Sequence, residues 1–246
     1  METIVEYAHL RATGRRYDHQ TSVRLGDAGP DGWLRPDGVA RLLQDVATDD
    51  WASSGIADSA TWVVRRTSFR AVGERWPTLG DRLELTTFCS GMGAAWAERR
   101  TNLAIKGEVL IEAVALWVPV DPSGRPLRVR QPFVSVYGES AGGRKVSGRV
   151  PRPGEVPSGV SRRRWELRQA DLDVIGHVNN AALWAPLVEV ASGPVDEASM
   201  THHLPVLGGD AVELCSAPGQ LWLVVDGQVA VSAVFNERAV ASVTGP

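Results

Sequence analysis

"DLDVIGHVNNAALW" (Asp171–Trp184) sets two acids, a histidine and two asparagines close together and then turns apolar. Asp and Asn side chains bond turn backbone and cap helices, so this reads as a connection into a helix beginning near Asn179. Upstream, RRRWELR (162–168) reads as a strand. Downstream, ASMTHHLPV (198–206), DAVELCSA (210–217), QLWLVVDG (220–227) and QVAVSAVF (228–235) are strand candidates. The order is strand, polar turn, helix, four strands.

The first half has the same order. Strand candidate YDHQTSVRL (17–25) precedes the turn GDAGPDG, and Val39, Leu42, Leu43, Val46 and Ala47 recur at helical spacing from Pro36 to about Trp51. Four strand candidates follow at 61–72, 81–91, 94–105 and 109–120. A shift of 144 positions carries Arg24 onto Arg168, Asp27 onto Asp171, Gly32 onto Gly176 and Leu43 onto Leu187. A second shift, of 129, carries GDRLEL (80–85) onto GDAVEL (209–214). Two matches in one order indicate a duplicated unit. The expected domains are residues 1–120 and 161–246, joined by a Pro-, Gly- and Ser-rich linker over 121–160 with one short strand at PFVSVYG (132–138).

Composition narrows the function classes. A net charge of −3 gives no basic footprint for nucleic acid. No window is long and apolar enough for a membrane helix or a signal peptide, which predicts a cytoplasmic protein. Cys89 and Cys215 fall far apart in apolar runs and read as buried thiols. His202 and His203 are adjacent on a strand, point to opposite faces and form no common metal site. Neither metal nor cofactor is expected.

The turn Asp-x-Asp-x-x-Gly-His-Val-Asn-Asn, with WVVRR (62–66), GDRLELTTFCSG (80–91), WAERR (96–100) and ALWVPVDPSGRPLRV (115–129), resembles the double-hotdog acyl-acyl-carrier-protein (acyl-ACP) thioesterases. The resemblance implies an α+β tandem hotdog, each repeat an antiparallel sheet wrapped around one long helix. It implies hydrolysis of a fatty acyl thioester of acyl carrier protein or CoA, by a single chain or a homodimer. Asp173 matches the family's general base or nucleophile, and His177 its neighbouring histidine. Backbone N–H groups of Val178 and Asn179, opening the helix, would face the thioester oxygen. Val39, Leu43, Val46 and Trp62 would hold the acyl chain in the first repeat, where Gly29 and Trp33 replace Asp173 and His177.

Two departures from the plant-type pattern stand out. Ile175 occupies the place of an Asn, and Val206 and Leu207 that of a Glu-Cys pair. They favour, as an alternative, a catalytically weak acyl-thioester binding protein; a hotdog hydratase or dehydratase is the third reading. Pro186, inside the expected second helix, predicts a kink there.

Overall fold

The structure, a computed structural model, describes residues 5–57 and 60–238. The chain divides into two compact units, residues 1–151 and 152–246.

The first unit holds β1 (Arg16–Ser22), α1 (Pro36–Ser53), β2 (Thr61–Ala71), β3 (Arg82–Met92), β4 (Ala97–Ile105), β5 (Glu108–Val120) and α2 (Gln131–Ala141). Its strands pair antiparallel in the order β1-β3-β4-β5-β2. The second unit holds β6 (Ser161–Trp165), α3 (Ala185–Val190), β7 (Val195–His202), β8 (Val212–Ala217), β9 (Gln220–Val225) and β10 (Gln228–Glu237). Its order, β6-β8-β9-β10-β7, is that of the first unit strand for strand. Among the described residues ten strands thus lie at the ten segments that pair in this repeated order in the sequence, with ends that differ by a few residues. Lys106-Gly107 and Asp226-Gly227, all at positive φ, turn β4 into β5 and β9 into β10. Paired left-handed residues match the right-handed twist of the strands they join.

Each helix covers its sheet with one face. On α1 the buried residues include Val39, Leu42, Leu43, Val46, Ala47 and Asp50, a stripe at helical spacing. It meets a sheet interior built from Phe69, Leu83, Leu85, Leu103 and Ile111, which share one face of their strands. Burying a side chain of this size stabilises by about 1.5–3 kcal/mol, so the stripe alone fixes the helix on the sheet. In the second unit Trp184 and Leu187 play that part above Met200, Leu214, Leu221 and Val231.

The second helix differs from expectation. It is only six residues long, preceded by a 3-10 turn over Ala182–Trp184, and Ser192-Gly193-Pro194 breaks it off before β7. Pro186 lies in the first turn of α3, where a missing N–H costs nothing. The Ala185 N–H bonds the Ala182 carbonyl in the tighter 3-10 manner just before it. The expected kink is therefore a helix start.

The region read as linker also carries more structure than its composition suggests. In place of a short strand at 132–138 it forms α2, with Pro132 in its first turn and Gly142 closing it at φ 56°. Phe133, Tyr137 and Ala141, four residues apart, pack against Cys89 and Ala97. This helix belongs to the first unit.

Candidate active site and acyl cavity

The polar turn is a backbone frame made twice. In the first unit Asp27 N–H donates to the Arg24 carbonyl, Gly29 to Trp33, Gly32 to Gly29 and Arg35 to Asp27, at 2.8–2.9 Å. In the second, Asp171 donates to Arg168, Asp173 to His177, Gly176 to Asp173 and Asn179 to Asp171, at 2.8–3.1 Å. Each bond recurs 144 positions later. Gly32 and Gly176 share a left-handed φ of 79° and 80°, which only glycine adopts freely. The partner turn follows the other shift: Leu34 N–H reaches the Pro77 carbonyl and Val178 that of Val206, a difference of 129 on the acceptor side. The carboxylates of Asp81 and Asp210 then accept from the N–H groups of Thr78 and Leu207.

On this frame Asp173 and His177 face each other across the turn. The Asp173 Oδ1 accepts from Ile175 N–H at 3.0 Å and His177 N–H at 3.1 Å. Both residues are half-buried, and the tip between them, Val174 and Ile175, stands in solvent. Asp173 is therefore a turn former with a second oxygen to spare. The first unit serves the same amide differently: Asp31 Oδ1 accepts from Trp33 N–H at 2.9 Å. Asp171, 6% exposed, accepts from Arg168 N–H and Nη2 and is a structural clamp.

The helix-end amides require a correction. The N–H groups of Val178 and Asn179 donate to the carbonyls of Val206 and Asp171, both at 2.8 Å. The equivalent bonds exist in the first unit, so these amides are frame and offer no free donor to an oxyanion. Asn179 caps the following turn instead, its Oδ1 accepting from Ala181 N–H at 2.8 Å. Asn180 stands where the first unit has Pro36. Its N–H makes no hydrogen bond among the described residues.

The first unit contains a cavity of about 250 Å³ at the C-terminal end of α1. Ala47, Thr48 and Trp51 of the helix, Trp62 of β2, Trp117 of β5 and Phe133 of α2 surround it. Small side chains at Ala47, Ala60 and Ala97 leave the space, and the Trp62–Phe133 stack, 4.7 Å between ring centres, walls one side. Of the residues expected to hold an acyl chain only Trp62 lines it. Val39, Leu43 and Val46 are 0%, 7% and 1% exposed and sealed against the sheet. They build the core because they occupy the middle of the helix face, whereas the space opens beside its last turns, at Ala47, Thr48 and Trp51.

A buried polar network borders the cavity. Asp50, 1% exposed, accepts from Arg15 Nε at 2.7 Å, Arg99 Nη1 at 2.7 Å and Tyr137 Oη at 2.9 Å. Arg99 Nη1 also reaches Thr87 Oγ1 at 3.2 Å, and Arg99 lines the cavity. Burial raises the Tyr137 hydroxyl above its usual pKa, against the pull of Arg99. Burial likewise pushes the Cys89 thiol up to about 11, so this cavity-wall residue is no nucleophile. The network had one sequence signal: an acid, Asp50, continuing the apolar stripe of α1, since a charge placed there must be paired.

A family model described as the acyl-ACP thioesterase N-terminal domain matches residues 14–137. An uncharacterized protein of Mycobacterium tuberculosis is 25% identical over 190 residues, 76% of this chain and 75% of that protein. Acyl-[acyl-carrier-protein] hydrolase FATB1 of Cuphea viscosissima is 26% identical over 185 residues, 66% of this chain but 43% of its own length. Among solved structures, a putative oleoyl thioesterase from Lactobacillus plantarum superposes with a TM-score of 0.79 at 17% identity, covering 91% of this chain and 96% of that one. The 12:0-ACP thioesterase of Umbellularia californica gives 0.76 at 19% identity, covering 93% and 99%. These likenesses show the hotdog fold. With the matched model spanning the first unit's helix, sheet and most of α2, the chain belongs to the acyl-ACP thioesterase family, a family of thioester hydrolases.

Proposed function

We propose that the chain hydrolyses fatty acyl thioesters with a division of labour between its copies: the first unit binds the acyl group, and the turn of the second cleaves it. The observation that carries this is the duplicated frame, which bears an acid and a histidine at Asp173 and His177 in one copy and Gly29 and Trp33 in the other. Asp173 takes a proton from water as the water oxygen adds to the thioester carbonyl. Collapse of the adduct breaks the C–S bond, giving the carboxylic acid and a thiol that recovers the proton. His177 orients the water or passes that proton. Asn180, with its N–H uncommitted, takes over the oxyanion role that Val178 and Asn179 cannot fill. The carrier is acyl carrier protein, with CoA as the competing thiol.

Asp173→Asn tests the base without dismantling the turn, because the amide oxygen still accepts from Ile175 and His177. Thiol release from acyl-ACP is expected to fall about 10²–10⁴-fold, the usual worth of a positioned base. An unchanged rate removes Asp173 from the mechanism. Release from acyl-CoA at an equal kcat/KM would remove the carrier-protein preference.

A further inference from the structure

The turn of the second unit ends in an apolar surface. Val174 at its tip is fully exposed and Ile175 61% exposed, while Leu204 and Leu207, on the loop after β7, are 40% and 44% exposed. The frame joins the two loops: Val178 N–H donates to the Val206 carbonyl, Leu207 bridges to His177, and Gly208 lies against the Leu172 side chain. Shifts of 144 and 129 put Pro30, Asp31, Arg75 and Thr78 at the same four positions of the first unit. That unit's own exposed leucines, Leu25 and Leu79, fall instead on Gln169 and Gly208. Ile175 and Leu207 serve the second frame through main-chain N–H groups, so the fold does not ask for apolar side chains there. Single exposed apolar residues are ordinary, whereas several on two joined loops mark a contact surface.

This surface carries no cation. Loops 172–176 and 203–209 hold Asp173 and His203 as their only ionisable groups. Arg168, just before them, is bonded to Asp171, and Arg162, Arg163 and Arg164 of β6 pair with Glu213, Glu189 and Glu166. Residues 152–246 contain eleven Asp and Glu against six Arg and no Lys. The phosphates of CoA therefore find no complement at the tip, and an acidic patch on a protein would be repelled. The loops belong to the turn that holds Asp173 and His177, so a protein presenting its thioester there approaches over them. We infer that acyl carrier protein docks on this tip by apolar contact, with Val174, Ile175, Leu204 and Leu207 set into an uncharged apolar face of the carrier. The inference rests on the proposal that this turn cleaves an acyl-ACP thioester, and it deepens that reading by naming the docking surface and the chemistry of the contact.

Steady-state cleavage and carrier binding by the intact protein test it. The triple variant Val174→Ser/Ile175→Ser/Leu207→Thr should raise KM for dodecanoyl-ACP, and Kd for the unacylated carrier, about tenfold. Its kcat/KM for the dodecanoyl thioester of N-acetylcysteamine, which brings no protein, should stay within about twofold. Leu204→Ser, on the second loop, should raise the two carrier constants about threefold. Raising salt from about 0.05 to 0.5 M, which screens ionic contacts, should change carrier binding by less than about twofold. Carrier constants that the variants leave unchanged, an equal loss on both thioesters, or weakening by salt of about tenfold or more overturns the inference. So does a dimer that the triple variant dissolves, or binding to phosphatidylcholine vesicles that it abolishes, with carrier binding untouched; the tip then serves a second copy or a lipid surface. If neither thioester is cleaved the hydrolase reading falls, and binding of the unacylated carrier still decides the inference.

Discussion

Replacing Asp50 with Asn is the sharpest test of what holds the first unit together beside its cavity. The carboxylate is 1% exposed and receives three side-chain donors on two oxygens. An amide of the same shape keeps one acceptor and turns the other position into a donor, which must then point at Arg15, Arg99 or Tyr137. The charge lost is the one that the Arg15 and Arg99 guanidinium groups share. Arg99 is 12% exposed and Arg15 23%, so Arg15 recovers part of its loss from solvent, whereas Arg99 recovers little. Breaking a buried pair by removing one partner costs about 3–5 kcal/mol. For a chain of this size each kcal/mol moves the midpoint by about 2–4 °C, so Asp50→Asn should melt about 6–20 °C lower. Urea unfolding followed by tryptophan fluorescence measures the loss directly. Adding Arg99→Met should recover about 1 kcal/mol or more, because the uncompensated cation is removed. A loss under about 1 kcal/mol for Asp50→Asn, or strict additivity of the two changes, would refute the reasoning.

Other consequences are open to measurement. Burial works to raise the Glu112 carboxyl, but hydrogen bonds from Arg70 and the charge of Arg100 outweigh it and hold the pKa below the usual value. A depressed folded pKa gives stability that is present above the unfolded value of about 4.3 and lost as pH falls through the folded one. Urea midpoints should therefore fall on acidification below about pH 4.3, and Glu112→Gln should flatten that slope while lowering stability at neutral pH; an unchanged slope contradicts the assignment. Pro186→Ala should change stability by less than about 1 kcal/mol, since the residue opens α3; a gain near 3 kcal/mol would place it inside a helix. Cys89, buried and with its thiol pushed up to about 11, should react with a thiol reagent at neutral pH only after unfolding. Prompt labelling of Cys89 in the native protein, read by peptide mass, would contradict its burial.

Much of the fold is legible because the message is written twice. Shifts of 144 and 129, taken from a few residues of sequence, recur as backbone hydrogen bonds from Asp171 to Asn179 and from Val206 to Asp210. Alternation marks strands with one buried face, such as the first half of β3, whereas β6, exposed from Ser161 to Arg164, is legible only through its place in the repeat. The failures have physical causes. Val134 and Val136 impose a strand-like alternation on 132–138, while the spacing of Phe133, Tyr137 and Ala141 is helical and wins through packing on Cys89 and Ala97. The oxyanion assignment failed because a sequence shows that amides open a helix but not which carbonyls already occupy them. Val39, Leu43 and Val46 form an apolar stripe, and such a stripe reads the same whether it faces a filled interior or an empty one. Space is set by what is missing, here the side chains that Ala47, Ala60 and Ala97 lack.

The repeated turn has a consequence for how such a chain diversifies. Its loops are closed almost entirely main chain to main chain, with a left-handed glycine at one fixed point, so the side chains at its other positions are free to vary. An N–H that Asp31 satisfies in one half is satisfied by Asp173 in the other, two places away in the pattern. Residue identity at these sites can therefore drift without disturbing the fold, as tools are exchanged on a fixed handle. A duplicated gene with this property can lose chemistry from one half, or acquire it there, in a few substitutions, while its scaffold remains under no strain.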